Sequence, residues 1–199
     1  MSTDRDGGRS IVEGAVAGVA AWIVGYAITY LLVAPAVRHS ALQRIVQALG
    51  GTPATYEMVG WVFYNAHFVD TVFRGIPVVG STTTTYVGDG GFTPALYLLP
   101  AALLFVAGLA LARRRGASDA SDGALTGATT LPGYALASIA GAFLFRVAVG
   151  GASGAPDLLP AVFLAGIVYP AIFGGAGGLV GGLLVDETAR STPESDSTR

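Results

Sequence analysis

Tyr56–Arg74, YEMVGWVFYNAHFVDTVFR, is the stretch whose reading decides the fold. Elsewhere the chain alternates long, nearly uncharged apolar runs with short polar connectors, the pattern of membrane spans. This stretch instead sets Glu57, Asn65, His67, Asp70 and Arg74 among aromatic and β-branched residues. On a 100° wheel Tyr56, Gly60, Tyr64, His67, Asp70, Thr71 and Arg74 share one face, opposite Met58, Val62, Ala66, Val69 and Phe73. That pattern predicts an amphipathic helix, either lying on the bilayer or capping a bundle. To cross the bilayer, it would have to bring Glu57, His67 and Asp70 to lipid depth at a cost of a few kcal/mol each, at about the scale known for such groups.

Composition supports a membrane setting. Of 199 residues 52% are hydrophobic and 12% charged, against about 25% charged in a soluble domain. The 29 glycines suit helices whose backbones approach closely in lipid. There is no cysteine, which removes disulfides and thiolate chemistry. The eleven basic residues are all arginine and are outnumbered by thirteen acidic ones, so no basic face for nucleic acid is expected. This Arg-only, Ala/Gly/Val-rich composition with an acidic Ser/Thr tail has the style of a salt-loving archaeon.

Working outward, Ser10 and Glu13 read as a capping box, followed by an apolar run over Ile11–Val37. At about 1.5 Å per residue this run reaches roughly 40 Å, beyond the about 30 Å hydrocarbon core, so a tilted span fits. Ala34-Pro35-Ala36 resembles a signal cleavage site, but the run before it exceeds the about 7–15 residues of a signal core, so an uncleaved anchor is expected. Thr93-Pro94 starts a second span to Ala112, just before Arg113-Arg114-Arg115. Gly116–Gly127 reads as a solvated loop. A third span is expected over Leu131–Val149, then a tight turn at Gly150–Pro156, and a fourth span, Leu158–Val185, capped by Asp157. Pro170 removes an amide bond to the Gly166 carbonyl, so a kink is expected there. Residues 1–9 and 186–199 read as polar tails, the latter disordered.

Within the remaining Arg38–Phe92, Leu42, Ile45, Val46 and Leu49 fall at helical spacing and predict a short amphipathic helix ended by Gly50-Gly51. Ile76–Phe92, with its four threonines and Asp89-Gly90-Gly91, has strand and turn chemistry. Four spans place Arg5, Arg9, the Arg113–Arg115 triplet, Arg190 and Arg199 inside, against Arg38, Arg44, Arg74 and Arg146 outside. A fifth span over Tyr56–Phe73 would turn the triplet outward, against the positive-inside bias. The expected fold is therefore an all-α four-helix transmembrane bundle in the cell membrane, both termini cytoplasmic, with an external amphipathic cap over residues 38–92.

The run Gly60-Trp61-Val62-Phe63-Tyr64-Asn65-Ala66-His67-Phe68-Val69, between an anchor helix and a glycine-rich bundle, resembles a motif of uncharacterised haloarchaeal multi-pass membrane proteins carrying a domain of unknown function. The resemblance covers most of residues 10–185. It implies no activity, ligand or catalytic residue.

His67, Asp70 and Arg74, with Tyr64, form the candidate contact surface. A metal-hydrolase reading would recruit Glu57, His67 and Asp70, but a zinc site needs three or four ligands and this set is thin. No catalytic residue, metal or cofactor is assigned. Gly174, Gly178 and Gly182, and Gly14 with Gly18, form small-residue stripes for helix packing or for contact with a second copy. Arg146 is a candidate ion-pair partner for Asp157, or for Asp70. The expected function is a non-enzymatic membrane component that packs or oligomerises through the glycine stripes and presents the external cap to a partner, lipid surface or small ligand. Its partners are the lipid bilayer and a second copy or another membrane protein; the alternative is a small transporter or channel subunit.

Overall fold

The computed structural model describes residues 3–76, 78–88 and 91–190, and the side chains among them from Ser10 to Val185. It is mostly helical. Helix α1 (Thr3–Arg38) leads after two residues into α2 (Ala41–Ala48), and α3 (Thr55–Asn65) follows. Strands β1 (Thr71–Ile76) and β2 (Gly80–Thr84) precede a 3-10 turn, Pro94–Tyr97, that opens α4 (Leu98–Arg115). Then come α5 (Ala120–Ala128), α6 (Leu131–Leu144), β3 (Val147–Val149) and β4 (Ala152–Pro156). The last long helix begins as α7 (Leu158–Pro160), widens into π-helix over Ala161–Val168 and Pro170–Gly174, and ends as α8 (Gly175–Arg190).

Three helical stretches are long and apolar enough to cross a membrane: Ser10–Arg38, Pro94–Arg115 and Leu158–Val185. The expected third span over Leu131–Val149 is not one helix. Helix α6 stops at Leu144, and Val147–Val149 pairs as a strand. Gly150 and Gly151, at φ +59° and +84°, make the two-residue turn that folds β3 back on β4,. Ahead of α6, the supposed loop Gly116–Gly127 holds α5, packed against α4 and α8 with Gly123, Thr126 and Gly127 buried. Thr129 and Thr130 keep right-handed helical dihedrals between α5 and α6. Their amides bond three residues back, to the Thr126 and Gly127 carbonyls, and their hydroxyls donate to the same two oxygens at 2.6 and 2.9 Å. The ladder is tightened there, and its orphaned acceptors are satisfied by side chains.

A four-stranded antiparallel sheet, order β2-β1-β4-β3, replaces the all-helical cap. Thr71 lies opposite Thr84 on one side and Pro156 on the other, so the loop after α3 and the loop after α6 meet in one sheet. Asp89-Gly90 of the expected turn, and residues 191–199 of the expected tail, lie outside the described residues; Asp186–Arg190 continue α8 as helix.

Local chemistry explains several boundaries. Ser40 caps α2 by accepting from the Gln43 amide, and Thr93 caps the turn before α4,. Gly116 closes α4 at φ +63°,. Ser10 and Glu13 do not form the helix start, which lies at Thr3. They instead receive Arg115 from α4: its guanidinium donates to the Ser10 hydroxyl and carbonyl and to Glu13 at 3.3 Å, the one ion pair among the described residues. At Pro170 the expected kink takes the form of π-helix. Widening the coil accommodates the missing N–H, and the Tyr169 amide reaches the Leu164 carbonyl five residues back,.

The glycine stripes serve the chain's own packing. A Cβ on Gly178 would collide with the Gly123 carbonyl, on Gly182 with that of Asp119, and on Gly174 with the Thr130 hydroxyl. Gly14 and Gly18 press likewise on Thr129 and Thr130. Gly175, by contrast, has as its nearest neighbour the Ala124 carbonyl oxygen, 3.8 Å from a built Cβ. Gly178→Ala is therefore expected to lower stability by about 1–3 kcal/mol, and Gly175→Ala by less than about 0.5 kcal/mol, in chemical unfolding of the purified protein.

Candidate functional site

The buried core centres on α3, where Met58 to Asn65 are all buried. Trp61, Tyr64 and, just beyond the helix, His67 reach inward to α6, while Tyr56 at its start is exposed. Trp61 Nε1 donates to the Phe145 carbonyl at 2.6 Å, Tyr64 OH donates to the Ser138 carbonyl, and His67 Nε2 lies 2.7 Å from Tyr134 OH. Three side chains spaced by three residues thus bond to successively earlier points on α6, which sets the two helices antiparallel. Gly60 lets Phe145 sit against the α3 backbone, and Gly141 leaves room for Trp22 and the Tyr64 hydroxyl.

The chain reverses just beyond α3. Phe68 adopts φ +59°, stacked on Tyr97 at 4.4 Å. Asn65 holds the reversal, donating to the Val69 carbonyl at 2.7 Å and accepting from the Tyr86 amide at 2.8 Å. His67 sits in this turn, fully buried. Its Nδ1 is 2.8 Å from the Phe63 carbonyl, which can only accept. Nδ1 therefore carries the proton, and Nε2 accepts from Tyr134. Phe63 and Tyr169 close over the ring at centroid distances of 4.8 and 4.9 Å, and Tyr169 OH donates to the Ala66 carbonyl at 3.3 Å. Burial pushes the imidazole pKa down to about 4, with the Phe63 carbonyl opposing in smaller measure. The arrangement holds a neutral histidine as a hydrogen-bonded link between α3 and α6.

The expected contact surface divides accordingly. Tyr64 and His67 are buried, whereas Asp70 and Arg74 are exposed. The reason is that the helix ends at Asn65, so the wheel does not extend to residues 70 and 74. Asp70 does not orient His67; its carbonyl accepts from the Asp157 amide at 2.9 Å. Asp157 caps the last long helix through the Leu159 amide at 3.3 Å and makes no ion pair with Arg146, which is exposed. Among the described residues no three His, Asp or Glu side chains converge on a point where a metal could sit, and Glu57, His67 and Asp70 are not brought together. Sequence reasoning missed Tyr134, Ser138 and Tyr169. The available signal was that a tyrosine inside an apolar helix must find a partner for its hydroxyl.

These features define a predominantly helical protein with three membrane-length apolar helices and a buried aromatic–histidine seam. The chain belongs to the family of unknown function DUF7978, whose match covers residues 1–185. No curated protein and no solved structure matches it.

Tyr134→Phe leaves Nε2 of His67 without its donor and is expected to cost about 1–3 kcal/mol of stability. Arg74→Ala, at an exposed site, should change it by less than about 0.5 kcal/mol. Unfolding of both variants in detergent checks the contrast.

The pH dependence has a defined sign. Below the ordinary imidazole value of 6.5 the unfolded chain binds a proton that buried His67 refuses, so stability falls as pH drops from there towards about 4,. Melting curves across this window should show a slope that shrinks in His67→Gln.

Proposed function

We propose that this chain is a non-enzymatic, multi-pass component of the cell membrane that holds an outer contact layer in place for a membrane-protein partner, a second copy included. The observation that carries the reading is the division of polar chemistry. Trp61, Tyr64 and His67 are committed to the interior, while Asp70, Arg74 and the β1–β2 hairpin, with Val78 and Val79 exposed, project from a sheet anchored by β4. Four crossings fit this role: α1 outward, α4 inward, α5 with α6 outward as one interrupted helix, and α7 through α8 inward. Both termini are then cytoplasmic. The Arg115 contact with Ser10 and Glu13 supports a shared inner end for α1 and α4. The Asp157–Asp70 bond and the Phe68–Tyr97 stack support a shared outer end for the other elements. Arg113–Arg115 on the inner side agrees with the positive-inside bias.

A transporter reading draws on one observation: the interrupted helix at Thr129–Thr130 and the π-helical stretch ending at Gly174 face each other, with Gly174 against Thr130. Broken helices in that position hold substrates in transporters. In pyranine-loaded proteoliposomes the component reading expects no proton flux above that of protein-free vesicles, whereas flux abolished by His67→Phe would favour transport.

Single-cysteine labelling in intact cells and inverted vesicles tests the topology. A probe at Ser118 should react only from inside and one at Thr83 only from outside. A photo-crosslinker replacing Arg74 should yield a protein adduct in native membranes, and one replacing Leu136 should not. Reversal of either pattern contradicts the proposal.

A further inference from the structure

Helix α2 roofs an apolar trough that none of the contacts above uses. Its larger part is a cavity of about 380 Å³ between α2 and the sheet, walled by Ile45, Leu49, Phe73, Val147 and Val149. A smaller cavity of about 80 Å³ starts at Ala36 and Val37, in the last turns of α1. Leu42 and Trp61 line both, so the two lie side by side between the end of a membrane-length helix and the sheet.

We propose that this trough binds the hydrocarbon chain of a membrane lipid, a role that goes beyond the contact-layer reading and does not need it. Three observations select this occupant. First, no charged side chain is among the residues lining either cavity; the hydroxyl-bearing residues there are Ser153 in the larger and Ser40 and Tyr86 in the smaller, and Ser40 is already engaged by the Gln43 amide. A charged or strongly polar ligand would lose its hydration for few replacement partners, a cost that a hydrocarbon chain does not bear. Second, only His39 and Ser40 separate α1 from α2, so the trough lies beside the end of a helix long and apolar enough to cross a membrane. Lipid is the apolar species closest at hand there. Third, Ile45 and Leu49 wall the cavity yet remain 54% and 57% exposed. The volume of the larger part falls within the about 300–1,000 Å³ of small-molecule sites.

The test uses the full chain reconstituted in phosphatidylcholine vesicles carrying a trace of phosphatidylcholine with a diazirine on its palmitoyl chain. After irradiation, adducts are mapped by mass spectrometry. The expected result is labelling at Leu42, Ile45 or Val149 at a level comparable to lipid-facing Leu32. Val149→Trp, which fills the cavity, should reduce labelling at Leu42 and Ile45 at least fivefold and leave Leu32 unchanged. Ile45→Trp, on the exposed side of the larger cavity where folding is not at stake, should do the same at Leu42 and Val149. Phospholipid retained after exhaustive detergent exchange should be near one per chain in the parent protein and should fall in both variants. Trough labelling no greater than at the hairpin residue Val78, labelling indifferent to both tryptophans, or labelling that disappears as chains pair through this face would each overturn the proposal.

Discussion

The bonds from Trp61, Tyr64 and His67 to α6 are the contacts on which the rest of the molecule depends. Buried in the protein, an unpaired indole, phenol or imidazole loses its hydration, so such groups must find partners inside the protein,. Helix α6 supplies them from its own backbone and from Tyr134. Once α3 is docked this way, Asn65 and the left-handed Phe68 turn the chain back, and β1 emerges where β4 can pair with it. The sheet then sits on Trp61 through its own Phe73, with Gly154 leaving room for both rings.

The helices around this docked element pack in two different ways. Among α1, α3 and α6 large rings fill the space: Phe63 meets Trp22 edge-on at 5.3 Å, and Phe145 stacks on Tyr26 at 5.0 Å. Among α4, α5 and α8 glycine backbones touch directly, as at Gly108 against Gly174 and Gly127 against the Gly174 carbonyl. Close backbone approach replaces the side-chain burial that drives association in water. Thr130 stands where the two regions meet, satisfying the Gly127 carbonyl while Gly18 presses on its own carbonyl.

Much of this was legible in the sequence, and the failures have physical causes. Length and hydropathy identify α1, α4 and the last long helix, and Leu42, Ile45, Val46 and Leu49 identify α2. The wheel of the Tyr56–His67 segment did not survive: Tyr56 is exposed, whereas Gly60, Tyr64 and His67 are buried along with Met58, Val62 and Ala66 of the opposite face, because protein surrounds α3 on both sides. Helix α5 escaped because ASDGALTGA has the composition of a loop, and only the backbones of α4 and α8 make it a packed helix. Strand β3 was absorbed into a span because Val-Ala-Val is apolar in either conformation. Gly150-Gly151 carried the hairpin signal, but the pairing partner β1 lies more than seventy residues earlier in the chain. The Arg146–Asp157 pair was inferred from a shared side alone, and Asp157 is committed to its cap.

The central claim, that α3 is docked inside the helical bundle and does not lie on its outer surface, is tested most directly by amide hydrogen exchange of the reconstituted protein. Peptides covering Met58–Asn65 should exchange as slowly as those of α6, with α2 as the faster internal reference. Exchange of α3 at the rate of α2 would contradict the account.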